Sequence, residues 1–118
     1  MKCILPIVLA CYSSQAHATS PTDGNKLYEE CGASPTNVDG VAALVACNNY
    51  IVGVVDGYSM TSDAEKWMAL PVGVKGQQLQ DIVQIYLTQH PEVRHRPASF
   101  LIMFAVGAAF PRSTLPKN

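Results

Sequence analysis

Residues 76–110 form a pattern that limits the folds open to this chain. In the first part of this stretch, apolar side chains recur at the spacing of one helix face, at Leu79, Ile82, Val83, Tyr86 and Leu87. A second helix is predicted to begin near Ala98, and it is apolar nearly all round. A helix of that kind has to be covered by its own chain or by a second copy. The sequence therefore predicts an all-α fold, a small bundle of four main helices.

The first 18 residues predict export. Lys2 supplies a positive charge, residues 3–11 are apolar, and residues 16–18 (AHA) fit the small-x-small cleavage pattern of a secretory signal peptide. We therefore expect residues 1–18 to be a signal peptide and residues 19–118 to be a single periplasmic domain. Lipoprotein processing at Cys11 is the alternative for this stretch.

Charge and cysteine content narrow the class of protein further. Removal of Lys2 leaves seven basic residues against nine acidic ones, which gives no electrostatic reason to expect nucleic acid. Cys31 and Cys47 are the cysteines that remain. In an oxidising compartment these two cysteines are expected to form a disulfide, which would stabilise the folded domain by about 3 kcal/mol. Two buried free thiols are the alternative. Two cysteines without close histidine partners do not predict a zinc site.

The first half of the domain predicts two helices. Asp23 or Asn25 can cap a short helix through Cys31, and Asn37 or Asp39 can cap a longer one. The longer helix carries an apolar stripe at Leu44, Cys47, Ile51, Val54, Val55 and Tyr58. Its β-branched residues also suit a strand, but the length and period favour a helix. Gly53 and Gly57 would give a bare groove for another helix, unless Gly57 marks the helix end.

Individual polar residues give little sign of chemistry. His90 and His95 are expected to be solvated loop residues, and residues 94–96 (RHR) a solvated basic corner or a contact for an acidic partner. Asp56 is expected to bond to a backbone group or to Tyr58 or Tyr86. No nucleophile pair or phosphate-binding loop is found, so we predict a protein without catalytic residues, metal or cofactor.

Two environments are considered for Trp67, the core of the domain and a partner-binding surface. A single tryptophan in a small domain is more often a core residue than an anchor for a binding partner. The sequence therefore predicts that Trp67 is buried.

Several short motifs together resemble a known family. They are residues 47–57 (CNNYIVGVVDG), 70–79 (LPVGVKGQQL), 86–98 (YLTQHPEVRHRPA) and 108–111 (AAFP). Their order and spacing are similar to those of the Rap/Tai family of periplasmic immunity proteins of type VI secretion. The resemblance covers most of the domain, from about Leu27 to Pro111.

The resemblance implies a function and a set of residues. Members are small, helical, disulfide-bonded and often dimeric, and those characterised bind and block peptidoglycan amidase effectors. A structural role is implied for Gly53, Asp56, Gly57, Pro71, Gly76, Gln77, Pro91 and Pro97. Partner contact is assigned to two loops, at Ser59, Met60, Thr61, Ser62, Val72, Gly73 and Lys75. The alternative function is that of a periplasmic stress chaperone with an apolar dimer face.

The sequence departs from the family at two positions. Similar members carry a second cysteine pair, and those places hold Ala69 and Arg112 here. Since both cysteines are missing together, we expect loss of the second bridge as a unit and a looser C-terminal end.

Overall fold

The computed structural model describes residues 22–61 and 63–112, and most of these residues lie in helices. The helices are α1 (Gly24–Cys31), α2 (Val38–Ser59), α3 (Ala64–Trp67), α4 (Gly76–Gln89) and α5 (Ala98–Ala109), with a 3-10 helix (Pro91–Val93) between α4 and α5. Within these two ranges the only β pairing is an isolated bridge between Asp23 and Pro97. The predicted all-α bundle of four main helices is confirmed. The predicted signal peptide (residues 1–18), Cys11 and Ser62 lie outside the described residues.

Local signals set the helix ends. The Asp23 carboxylate accepts a hydrogen bond from the Lys26 amide at 2.9 Å, and the Asn37 side chain accepts one from the Gly40 amide at 2.8 Å. These contacts satisfy amides that the first helical turn leaves unbonded. His90 ends α4, because the residue before a proline leaves the α region, and α5 begins at Ala98 as predicted. The strand alternative for α2 is wrong, since α2 is helical over 22 residues.

The core lies where α2, α4 and α5 face one another. The inward stripe of α2 is buried at Cys47, Ile51 and Val55, while Leu44, Val54 and Tyr58 are partly buried. Opposite it lie Leu79, Val83 and Leu87 of α4 and Leu101, Ile102, Ala105 and Val106 of α5, all buried. The predicted apolar faces of α2 and α4 are therefore the packed ones.

Helix α1 is fastened at both ends. At its C-terminal end Cys31 is bonded to Cys47 of α2, with the two Cα atoms 5.2 Å apart, which confirms the predicted disulfide. At its N-terminal end the Gly24 amide donates to the Arg96 carbonyl at 3.0 Å and the Asn25 amide to the Arg94 carbonyl at 2.9 Å. These bonds place a helix of only eight residues across the hairpin of α4 and α5.

The single chain covers α5 less completely than the sequence predicts. Its inner residues are buried, but Phe100 and Phe104 remain 43% and 52% exposed, with ring centroids 4.6 Å apart. A single chain has only α2, α4 and α1 to place around α5, and these cover its inner side. The outer side of this apolar helix therefore stays in contact with water.

Candidate partner-binding surface

The residues between α2 and α4 (60–75, called the connecting segment below) contain most of the predicted partner contacts. The segment begins where α2 ends, and its first bonds return to that helix. The Thr61 amide and hydroxyl both donate to the Tyr58 carbonyl, at 2.9 and 2.8 Å. The Ser59 hydroxyl donates to the Asp56 carbonyl at 2.7 Å. Ser59 and Thr61 thus satisfy carbonyl groups that the end of α2 would otherwise leave free.

The middle of the connecting segment is attached to the end of α5. Met68 is buried, and the amide of Ala69 donates to the Phe110 carbonyl at 2.9 Å. A Cβ added to Gly107 of α5 would lie 3.3 Å from the Trp67 carbonyl oxygen, so the two backbones are close there. The segment is therefore anchored to the bundle at residues 67–69.

Three large apolar side chains of the connecting segment are exposed. Met60 is 88% exposed, Trp67 66%, and Val72 fully exposed. The prediction that Trp67 is a core residue is wrong: α3 is one turn long, and Met68 takes the inward place beside it. Exposed large apolar side chains can serve as anchors in a partner's pocket, so these three are the candidate contacts of the connecting segment.

A tight turn shapes the second half of the connecting segment. The Val74 amide donates to the Pro71 carbonyl at 3.4 Å, and Gly73 has φ of 91°, a conformation that strains any residue with a Cβ. Lys75 precedes α4 without a side-chain cap. These features raise Val72 above the surface of the bundle.

The beginning of α4 packs closely on α2. A Cβ on Gly76 would lie 3.0 Å from Val52 Cγ2 and 3.3 Å from Asn48 Oδ1. The Asn48 amide donates to the buried Gln80 at 3.1 Å, while Gln77 is exposed and donates to Asp81 at 3.0 Å. A shallow groove of about 450 Å³ follows this contact, and its lining, which includes Val41, Asn49 and Gln77, has no charged side chain.

The three predicted structural residues on α2 lie on its exposed side. The Asp56 carboxylate accepts no hydrogen bond from Tyr58, Tyr86 or any other residue that the structure describes, so the predicted bond is wrong. A Cβ built on Gly53 or Gly57 meets nothing within 4 Å, so none of the described helices fills the expected groove. Gly57 does not end the helix, because α2 continues to Ser59.

The basic corner contains one structural arginine, which the sequence analysis did not single out. Arg94 is half-buried, its Nε donates to the Leu87 carbonyl at 2.6 Å, and its guanidinium lies 3.6 Å from the centroid of the Tyr28 ring. A solvated Arg94 was therefore the wrong expectation. Arg96 remains exposed, 5.8 Å from the Phe100 ring. Nothing local in the sequence separates the two, since Tyr28 is distant along the chain.

The turn that holds His90 contains a contact between this ring and Glu92. His90 Nδ1 lies 3.1 Å from the Glu92 carboxylate, and the His90 ring packs on Tyr86 with centroids 4.5 Å apart. The pKa of Glu92 lies below its usual value of 4.5, first through a backbone hydrogen bond and then through His90. Across residues 22–61 and 63–112, no group of three or more His, Cys, Asp or Glu side chains could hold a metal ion.

The length and composition of α2 raise the question of a membrane. It is the one described helix that is long and apolar enough to cross a bilayer by these measures alone. Only 17% of its most apolar window is buried, so much of that apolar surface faces outward. Since its other face carries the disulfide and the core contacts, this outward surface is open for an interaction.

Comparison with known proteins gives one match. A family model described as Rap1a immunity proteins matches residues 23–111, which is most of the chain and includes all five helices. No curated protein and no solved structure matches the chain significantly.

Proposed function

The chain belongs to the Rap1a immunity protein family, and from this premise we propose that it binds a secreted effector protein and blocks it without performing a reaction. The observation that carries the proposal is the family match together with the exposed Met60, Trp67 and Val72 on the connecting segment. Large apolar side chains that a small domain leaves in water are suited to a partner's pocket.

The proposed mechanism is steric. The connecting segment would enter the groove of the effector and exclude its substrate. The buried Met68 and the bond from Ala69 to Phe110 support this role, because they fix the middle of the segment before binding. A segment that is already ordered loses less conformational freedom when it binds.

The finer part of the proposal concerns the effector and the compartment. We propose a peptidoglycan amidase delivered by type VI secretion as the target, the periplasm as the place of action after removal of residues 1–18, and a homodimer as the state of the protein. Support comes from the motif resemblance at residues 47–57 and 86–98. A disulfide between Cys31 and Cys47 also fits an oxidising compartment.

The test is a capture experiment from periplasmic extract of the source cell. Immobilised wild-type protein should retain a cell-wall hydrolase, and Trp67→Ala should weaken its binding by about 10-fold or more, the usual effect of losing an aromatic anchor. Phe104→Ala is the matched control, because Phe104 is a comparably exposed aromatic residue on α5. Binding is measured by surface plasmon resonance with the captured hydrolase.

Two results would contradict the proposal. One is that the wild-type protein retains no cell-wall hydrolase and gives no protection when co-expressed with periplasmic amidases. The other is that Trp67→Ala and Phe104→Ala bind equally well, which would move the contact away from the connecting segment.

A further inference from the structure

The groove between α2 and the beginning of α4 has an apolar part and an amide part. Val41, Leu44 and Val45 of α2 line the apolar part, and the carboxamides of Asn48 and Gln80 belong to the amide part. Its volume of about 450 Å³ lies within the usual range for ligand sites, about 300–1,000 Å³. The groove can therefore accommodate a short piece of a binding partner.

The carboxamides of Asn48 and Gln80 are only partly used within the fold. Asn48 Nδ2 donates to Gln80 Oε1 at 3.1 Å, and Gln80 is only 7% exposed. Gln80 Nε2 and Asn48 Oδ1 form no hydrogen bond with any residue of 22–61 or 63–112. Polar groups in such surroundings are normally paired. The groove therefore presents one unused donor beside one unused acceptor, and the same count holds if both carboxamides are turned over.

A glycine keeps this amide pair open. A Cβ on Gly76 would lie 3.3 Å from Asn48 Oδ1, so a side chain at this position would cover the oxygen. An adjacent donor and acceptor match one peptide group, whose carbonyl accepts from Gln80 Nε2 and whose N–H donates to Asn48 Oδ1. A helical partner has already used its backbone groups, whereas an extended segment has them free.

We propose that this groove binds an extended, uncharged segment of the effector, with one peptide group on Asn48 and Gln80 and an apolar side chain against Val41 and Val45. The inference rests on the proposed function and adds a second contact to it. The groove begins at Gly76, directly after Lys75, the last residue of the connecting segment. A partner that covers the connecting segment is therefore within reach of the groove.

The chemistry of the lining favours this occupant over others. A charged ligand would lose its hydration in the groove without meeting an opposite charge, because no lining side chain is charged. A lipid chain would cover the valines but leave the donor of Gln80 and the acceptor of Asn48 unpaired, which is unfavourable away from water. An uncharged peptide satisfies both parts of the groove.

The first test places the photoreactive amino acid p-benzoylphenylalanine at Val45, which lines the groove and is 53% exposed. The exported protein, with its native disulfide formed, is irradiated with the captured hydrolase, and mass spectrometry identifies the linked peptide. We expect a segment of the hydrolase without charged residues at the point of attachment. The control places the same amino acid at Ile85, which is 57% exposed on α4 and lies outside the groove, and it should give no such product.

The second test compares Val45→Glu with Ile85→Glu by surface plasmon resonance on the captured hydrolase. Both positions are exposed to a similar degree, so both variants should fold with the melting temperature of the wild type. Val45→Glu should weaken binding by about 10-fold or more, because the carboxylate loses its hydration under the docked segment. Ile85→Glu should bind as the wild type does.

Gln80→Glu tests the amide pair itself. Glutamate has the size of glutamine and keeps an oxygen for Asn48 Nδ2, but it replaces the free donor with an oxygen that repels a peptide carbonyl. Binding should again fall by about 10-fold or more in a variant that circular dichroism shows to be folded. Should burial of the charge unfold it, Val45→Glu decides the question.

The outcomes separate this inference from the proposed function. Wild-type protein that binds the hydrolase, with Val45→Glu binding equally well, overturns the groove contact and leaves effector binding standing. Wild-type protein that binds no hydrolase overturns both. Cross-links from position 45 to a charged segment, to the same chain, to a second copy or to lipid assign the groove to that occupant, and the inference fails.

Discussion

At the scale of single residues, Arg94 joins three parts of the fold. Its guanidinium donates to the Leu87 carbonyl in the last turn of α4, lies over the Tyr28 ring of α1, and its own carbonyl accepts from the Asn25 amide. A cation at the C-terminal end of a helix is favourable, and a planar guanidinium can stack and donate at the same time. Arg94 therefore acts as a structural residue although it lies in a charged turn.

We expect Arg94→Lys to lower the free energy of unfolding by about 1.5–3 kcal/mol, the range for a hydrogen bond that involves a charged group. Lysine keeps the charge but loses the stacked plane and the fixed direction of the Nε bond. The matched control is Arg96→Lys, which should change stability by no more than about 0.5 kcal/mol, as is usual at an exposed site. Urea denaturation of the two variants measures the difference. If Arg94→Lys is as stable as the wild type, the positive charge alone is sufficient in this turn and the structural role of the guanidinium is contradicted.

Residues that act locally could be predicted from the sequence, and residues that act across the fold could not. The caps at Asp23 and Asn37 depend on amides three residues away, so the local pattern was sufficient. The stacking of Arg94 on Tyr28 and the exposure of Trp67 depend on which helices meet. Asp56 was misplaced for the same reason: it is exposed on α2, and no other described residue bonds its carboxylate.

At the scale of elements, the disulfide is what allows α1 to be so short. An isolated helix of eight residues is unstable in water, so α1 relies on its attachments. The bridge joins Cys31, at the last turn of α1, to Cys47 on the buried stripe of α2. It thereby holds Leu27, which is fully buried, against the core.

Replacement of both cysteines, Cys31→Ser with Cys47→Ser, should lower the free energy of unfolding by about 3 kcal/mol, the chain-entropy value for a loop of this length. The melting temperature should then fall by roughly 12 °C or more for a domain of this size. Circular dichroism during heating measures the change. Wild-type protein melted in reductant is the control and should match the variant. A variant as stable as the oxidised wild type would contradict the assigned role of the bridge.

The apolar periodicity of the sequence was sufficient to place most helices along the chain. It was not sufficient to predict which sides of each helix the other helices cover. Helix α4 has one apolar side, so the pattern itself indicated which side is buried. In α2 the stripe through Cys47, Ile51 and Val55 indicated the buried side, although exposed valines lie outside it. In α5 every side is apolar, and the sequence cannot say which side the other helices will reach. The exposure of Phe100 and Phe104 is therefore visible only once the helices are packed.

At the scale of the whole molecule, the connecting segment and the C-terminal end of α5 form one unit. The Ala69 amide donates to the Phe110 carbonyl, two residues before Arg112. On the motif resemblance, Ala69 and Arg112 are the positions where similar members are expected to carry the second cysteine pair. The backbone contact thus remains at the place where the covalent one is missing.

We expect the double variant Ala69→Cys with Arg112→Cys to form a second disulfide during export. It should raise the free energy of unfolding by up to about 4 kcal/mol, because it closes a longer loop than the native bridge does. Intact mass and resistance to alkylation measure bond formation, and thermal melting measures the gain. The single variant Ala69→Cys is the control for the substitution itself. Two freely alkylated new thiols in the folded double variant would contradict this expectation.

The bridge between Cys31 and Cys47 has a consequence for when the protein matures. In a reducing environment the bridge does not form, and α1 is held by its backbone bonds and by packing such as that of the buried Leu27. On the proposed export to the periplasm, the fully fastened domain would be completed only after oxidation there. The proposed inhibitor would then be assembled in the compartment where its target acts.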